Sequence, residues 1–166
     1  VSWGTTITQF DLDGTHRVFA ETGAPNGHKI LADGTHLVCD ASRHAVLHLS
    51  ADGKLLDNAS DECDGKPLRG PNDLTLDVPN GGFWFTDPGD SDRERPIGTV
   101  HYVDADGKTH LVDDGLAFPN GIVLTPDGKK LYVGESQRNR VWVYDVVGPG
   151  KVGERKLLAD LPAKDE

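Results

Sequence analysis

The sequence predicts an all-β chain, a β-propeller of four-stranded antiparallel blades, and three observations carry that prediction. Pro25-Asn26-Gly27, Pro71-Asn72-Asp73 and Pro119-Asn120-Gly121 recur 46 and 48 residues apart, and a fixed period of this size marks a repeat architecture. Short runs rich in Val, Leu, Tyr, Phe and Trp lie between Asp-Gly and Asn-Gly pairs, the chemistry of hairpins. No long, capped stripe of apolar residues at helical spacing interrupts them; Lys151–Leu161 comes nearest, and Gly153 weakens it.

Each module follows one script. An inner run such as Ile122-Val123-Leu124 follows Pro-Asn, and a tight turn comes next at Asp33-Gly34, Asn80-Gly81 or Asp127-Gly128. The second run, Leu37-Val38-Cys39, Phe83-Trp84-Phe85 or Leu131-Tyr132-Val133, closes on an acid at Asp40, Asp87 or Glu135. A third run (Val46–Leu49, Val100–Val103, Val141–Val146) leads through turns such as Asp52-Gly53 and Asp106-Gly107 to a fourth, for example His110-Leu111-Val112. Successive modules therefore span 25–70, 71–118 and 119–166 of a single domain. In residues 1–24, Thr6–Asp11 and His16–Ala20 flank Asp13-Gly14 and read as the outer two strands of a preceding blade. About three and a half blades result, fewer than the roughly four that close a ring. The chain is thus expected to be part of a longer polypeptide or to pair with a second copy.

Composition narrows the function. Lys and Arg number 17 against 27 Asp and Glu, a net charge of −10, which argues against a nucleic-acid partner because such partners call for a basic face. No apolar run approaches the ~18 residues of a membrane span, so no membrane partner is expected and the protein is read as soluble, with no compartment assigned. The absence of Met and the start at Val1-Ser2-Trp3 suggest a processed product or an excerpt. Cys39 and Cys63 are too few for a disulfide framework and are read as free thiols, with one bridge between them as the alternative.

If each Pro-Asn opens the innermost strand of a blade, Asn26, Asn72 and Asn120 stand where loops enter the central channel. The second strand runs back, so Asp40, Asp87 and Glu135 return to the same end. Amide oxygens are hard ligands suited to Ca²⁺ or Mg²⁺. The competing reading is local: Asn-Gly is a favoured turn, and the acids hold turns or neighbouring strands by hydrogen bonds, which is the preferred reading for the acids.

Gly70-Pro71-Asn72-Asp73-Leu74, the following Phe83-Trp84-Phe85-Thr86-Asp87-Pro88, and Phe118-Pro119-Asn120-Gly121-Ile122 together resemble the SMP-30/gluconolactonase/LRE-like family. Leu131-Tyr132-Val133 and Arg140-Val141-Trp142-Val143-Tyr144 continue the likeness, which runs from about Ile7 to Leu161. The resemblance implies a six-bladed ring and a metal-dependent hydrolase that opens lactones, often sugar lactones, at a divalent cation in the channel. It implies Ca²⁺ first, with Zn²⁺ or Mg²⁺ as alternatives, and a small-molecule lactone as substrate. The family's two asparagine ligands map onto Asn72 and Asn120, and Asn72 also faces substrate. Asn26 matches a family element that lines the cavity. The family's Glu and Asp ligands have no counterpart here, and that Asp is the acid/base group, so no catalytic residue is assigned; Asp165 lies near its place without a matching motif. A family substrate-binding Arg falls at Gly70, one place from Arg69, and its role is not transferred. With half of the ligands, the chain alone is expected to be a poor catalyst. The alternative is a non-catalytic binding propeller or an inactive fragment.

Other constellations are weaker. His44 and His48 are expected on one face of a third strand, an incomplete zinc site. Ser136 lacks a nucleophile elbow. Trp3, Trp84 and Trp142 are expected to pack between blades. The Asp- and Arg-rich loop 88–97 is read as a solvated charged loop, with a cover over the channel as the alternative. An open half-ring exposes sheet edges and apolar faces, so the chain is expected to self-associate as a dimer or to join a missing remainder.

Overall fold

The computed structural model describes residues 2–162; Asp165 and the side chain of Trp3 lie outside the described residues. The chain forms successive antiparallel sheets. The first joins β1 (Ser2–Trp3), β2 (Thr6–Phe10) and β3 (His16–Glu21). The second is β4 (Pro25–Ile30), β5 (His36–Asp40), β6 (Ala45–Leu49) and β7 (Leu55–Ser60). After a small hairpin, β8 (Glu62–Cys63) and β9 (Lys66–Pro67), the third sheet is β10 (Leu74–Asp77), β11 (Gly82–Asp87), β12 (Gly98–Val103) and β13 (Thr109–Leu116). The fourth orders β14 (Pro119–Leu124), β15 (Lys130–Glu135) and β16 (Arg140–Gly148), with β17 (Lys151–Val152) and β18 (Lys156–Asp160) both against β16.

One detail corrects the sequence reading. Ser2–Trp3 pairs with Thr6–Ile7, so the first sheet retains an end of its second strand as well as its outer two. Lys151–Leu161, the nearest approach to a helical pattern, is extended as the all-β reading expects and completes the fourth sheet; it offers a helix no apolar stripe to bury.

The turns explain the register. Gly14, Gly34, Gly53, Gly107 and Gly128 all take φ between +69° and +88°, a region closed to most residues with a Cβ. At three of these turns the preceding aspartate supplies a local acceptor: Thr15, Thr35 and Lys129 donate their amides to Asp13, Asp33 and Asp127. Apolar residues of successive sheets then interlock. Ile7 and Ala20 meet Val38, Leu47 and Leu49. Leu37, Cys39 and Val46 meet Leu74, Phe83 and Phe85. Trp84, Val100 and Tyr102 meet Ile122, Leu131, Val133 and Tyr144. Trp84 therefore packs between sheets as expected. Trp142 is half-buried against the same cluster and lies under the Arg155 guanidinium, 5.1 Å from the ring centroid.

The second and third sheets are covered on both faces, so β5, β11 and β12 are buried at every position. The fourth is covered on one face: β15 alternates, and Val123, Val147, Leu157 and Leu158 are exposed. Both cysteines are free and buried.

Candidate functional site

The inner strands come together at their starts. The Gly27 amide donates to the Asn72 carbonyl at 2.8 Å. Contact this close requires glycine, because a Cβ at position 27 would stand 2.6 Å from the Asp73 Cα. Between β10 and β14 the bridge is made by side chains two residues apart, the period that places them on one edge. Asp73 accepts the Ile122 amide at 3.1 Å and Thr75 accepts the Leu124 amide at 3.3 Å. Asn72 and Asn120 thus open neighbouring strands held side by side.

Their environments differ. The Asn72 amide oxygen is shut off from water and has no hydrogen-bond partner, an arrangement that costs roughly 1–3 kcal/mol in a folded protein. Asn120 is half-buried, and its backbone carbonyl accepts the Thr86 hydroxyl at 2.7 Å. Asn26 is exposed.

The three acids return to the same end, Asp40 opposite Pro25 and Glu135 opposite Pro119. Their oxygens serve the loop before each Pro. Asp40 accepts the amides of Gly23, Ala24 and Arg43 at 2.7, 2.9 and 3.0 Å. Asp87 accepts those of Arg69 and Gly70 at 2.9 and 2.6 Å. Glu135 accepts the Ala117 amide at 2.7 Å and the Trp142 indole N–H at 2.8 Å. All three are buried, so each is a structural anchor for a loop whose amides would otherwise lack acceptors. Burial pushes the Asp87 carboxyl above its ordinary pKa, against the pull of the Arg69 and Gly70 amides. Burial works the same way on Asp40, but the amides of Ala24, Gly23 and Arg43 help bring it below.

The other residues singled out in the sequence stand apart. His44 lies in a turn at φ +53° rather than on a strand, with Nδ1 2.9 Å from the Arg69 carbonyl. His48 is on β6 and pairs with Asp57 at 3.3 Å. They share no strand face, because the turn that rotates His44 precedes β6. Arg69 sends its guanidinium to the Ile97 carbonyl at 2.9 Å. Loop 88–97 keeps an exposed Asp90–Arg95 pair, yet Ser91 is buried and accepts the Phe118 amide at 3.0 Å. A cavity of about 420 Å³ lies off this edge, lined by Arg69, Asp87, Thr99 and His101 among others. Asp73, Thr75 and Thr86 were missed as site-forming residues. The signal for Asp73 was its replacement of the glycine that follows Asn in the other two modules.

The sequence matches the SMP-30/gluconolactonase/LRE-like region over residues 2–166. The chain belongs to this family. It is 34% identical over 150 residues to a gluconolactonase of Zymomonas mobilis, covering 84% of this chain and 42% of the relative. A diisopropyl-fluorophosphatase of Loligo vulgaris is 28% identical over 156 residues, covering 87% and 49%. Among solved structures, a gluconolactonase of Xanthomonas campestris superposes with a TM-score of 0.83 at 27% identity, covering 96% of this chain and 57% of that one. The chain spans about half the length of these relatives.

Within this SMP-30/gluconolactonase/LRE-like chain, the unpartnered Asn72 oxygen fits a hard cation, which takes neutral amide and carbonyl oxygens. Asn120, at the start of the neighbouring strand, carries an amide of the same chemistry. The carboxylates nearest the edge are engaged with backbone amides.

Proposed function

We propose that the chain forms one side of the channel site of a lactone-opening propeller, with Asn72 and Asn120 as neutral ligands of a divalent cation, calcium first. The buried, unpartnered Asn72 oxygen is the observation that carries this reading. A folded chain tolerates such an atom where a ligand repays the lost hydrogen bond. When bound, a dication polarises the lactone carbonyl and stabilises charge on its oxygen.

The chain's own residues hold and orient. Asp73 and Thr75 keep β14 beside β10, and the acids at the second-strand ends pin the loops that lead into each inner strand. Asn26 lines the channel without holding metal. Asp40, Asp87 and Glu135 do not serve as the base, since amides already occupy their oxygens. The base and the charged ligands are therefore assigned to the rest of a ring, contributed by a longer polypeptide or by a second copy seated on the uncovered face of the fourth sheet.

Opening of glucono-δ-lactone, followed by titration of the acid released, tests this with chelator or CaCl₂ present, alongside light-scattering chromatography. The expected result is calcium-dependent turnover by a ring-sized assembly, reduced by at least about a hundredfold in Asn72→Ala or Asn120→Ala. Turnover that ignores both chelator and these substitutions overturns the proposal. Calcium binding without turnover in a complete ring favours the binding-module reading.

A further inference from the structure

We propose that Thr86 is the positioning residue that fixes Asn72 and Asn120 relative to one another. This rests on the reading of those two amides as the cation-facing pair. Asp73 and Thr75 bridge β10 to β14 beyond the asparagines, and Thr86, near the end of β11, adds a tie at the asparagines themselves. Its backbone carbonyl accepts the Asn72 amide at 2.9 Å and its backbone amide donates to the Asp73 carbonyl at 2.9 Å. Its hydroxyl accepts the Asp73 amide at 3.2 Å and gives its single proton to the Asn120 carbonyl at 2.7 Å. One fully buried residue thereby grips the Asn72 amide and the Asp73 carbonyl with its backbone, and the Asp73 amide and the Asn120 carbonyl with its hydroxyl.

The corresponding positions in the repeat show that this is not a requirement of the fold. Cys39 stands there in the second sheet, where a thiol is a weak donor, and Gly134 stands there in the fourth with no side chain. The second and third inner strands are tied instead by the direct Gly27–Asn72 bond. The hydroxyl occurs at the one junction that joins the two proposed ligands. Groups one step out from a metal ligand set its orientation, and their loss weakens binding by about ten- to a hundredfold.

Side-chain amide signals of isotopically labelled 166-residue chain in its ring-sized assembly, recorded by NMR for wild type, Thr86→Val and Thr86→Ser during CaCl₂ titration, provide the test. Thr86→Val keeps the shape and removes the hydroxyl. It is expected to displace the Asn72 and Asn120 signals before any calcium is added, leave Asn26 in place, and weaken calcium binding about tenfold. Thr86→Ser restores both. If Thr86→Val melts, Thr86→Cys is read in its place, with a shift in the same direction. Wild-type signals indifferent to calcium in the ring-sized assembly, but displaced by Thr86→Val, refute the cation reading and uphold the positioning role. Signals and calcium affinity unchanged in Thr86→Val, while the wild type responds to calcium, overturn the positioning role and leave the cation reading standing.

Discussion

The second and third sheets follow the same script and arrive at opposite chemistry. At the inner corner of the second, Asn26 is exposed, Cys39 fills the position before the acid, and Asp40 is held below the usual carboxylate range. At the same corner of the third, the Asn72 oxygen is buried without a partner, Thr86 replaces the thiol, and Asp87 is pushed above that range. Repetition sets the backbone path and the hydrogen-bonding obligations of the loops. Neighbours on either side decide which groups are left unsatisfied, and the third sheet concentrates them.

The largest test of this contrast is the removal of charge from each acid. Asp40 gains from its three amides when ionised, so Asp40→Asn is expected to cost about 2–3 kcal/mol at neutral pH. Burial opposes the charged form of Asp87, and Asp87→Asn, which retains one acceptor, is expected to cost under about 1 kcal/mol. Their pH dependences run in opposite senses. A lowered pKa gives stability that is present above the unfolded value of 3.8 and lost as pH falls through the folded value. For Asp87 the folded value is the higher one, so its contribution is present below 3.8 and lost as pH rises through the folded value. Urea unfolding from acid to neutral pH reads both. Equal costs for the two substitutions break the comparison.

A second, smaller effect comes from the histidines of the same sheets. His28, half-buried and 2.7 Å from His36, and His101, buried and stacked on Phe85, are both lowered to about 4 by burial, with His36 adding to the effect on His28. The unfolded chain takes up these protons near pH 6.5 and the folded chain only near 4. Stability is therefore expected to fall as pH drops from 6.5 to 4 and to level off below. His28→Gln and His101→Asn should each flatten that limb. His101 sits deeper, and its substitution should flatten it more.

Much of this was legible in the sequence because it is local. The Asp-Gly turns specify hairpins through a positive φ and a side-chain acceptor, and the 46- and 48-residue spacing follows from four such strands in series. The return of Asp40, Asp87 and Glu135 to one end follows from strand direction alone. What they bond does not, since their partners are loop amides up to 18 residues away that exist as a set only once the sheets stack. Ser2–Trp3 is too short to show a period, and Lys151–Asp160 is recruited by the open edge of β16 rather than by its own pattern. Thr86 was visible within Phe85-Thr86-Asp87, but its task depends on the Asn120 carbonyl 34 residues later.

The finest test is the asparagine pair itself. Asn72→Ala removes a buried acceptor that makes no bond, so the lost packing and the relieved desolvation offset, and Tm should move by under about 2 °C without added cation. Asn26→Ala, at an exposed site, should do as little. Calcium separates them. A ligand bound only by the folded state raises Tm in proportion to its affinity, and that rise should vanish in Asn72→Ala and persist in Asn26→Ala. A large loss of stability in Asn72→Ala before calcium is added would mean that its oxygen has a partner, such as a trapped water, and the contrast between the two corners would then be one of hydration instead of an open coordination position.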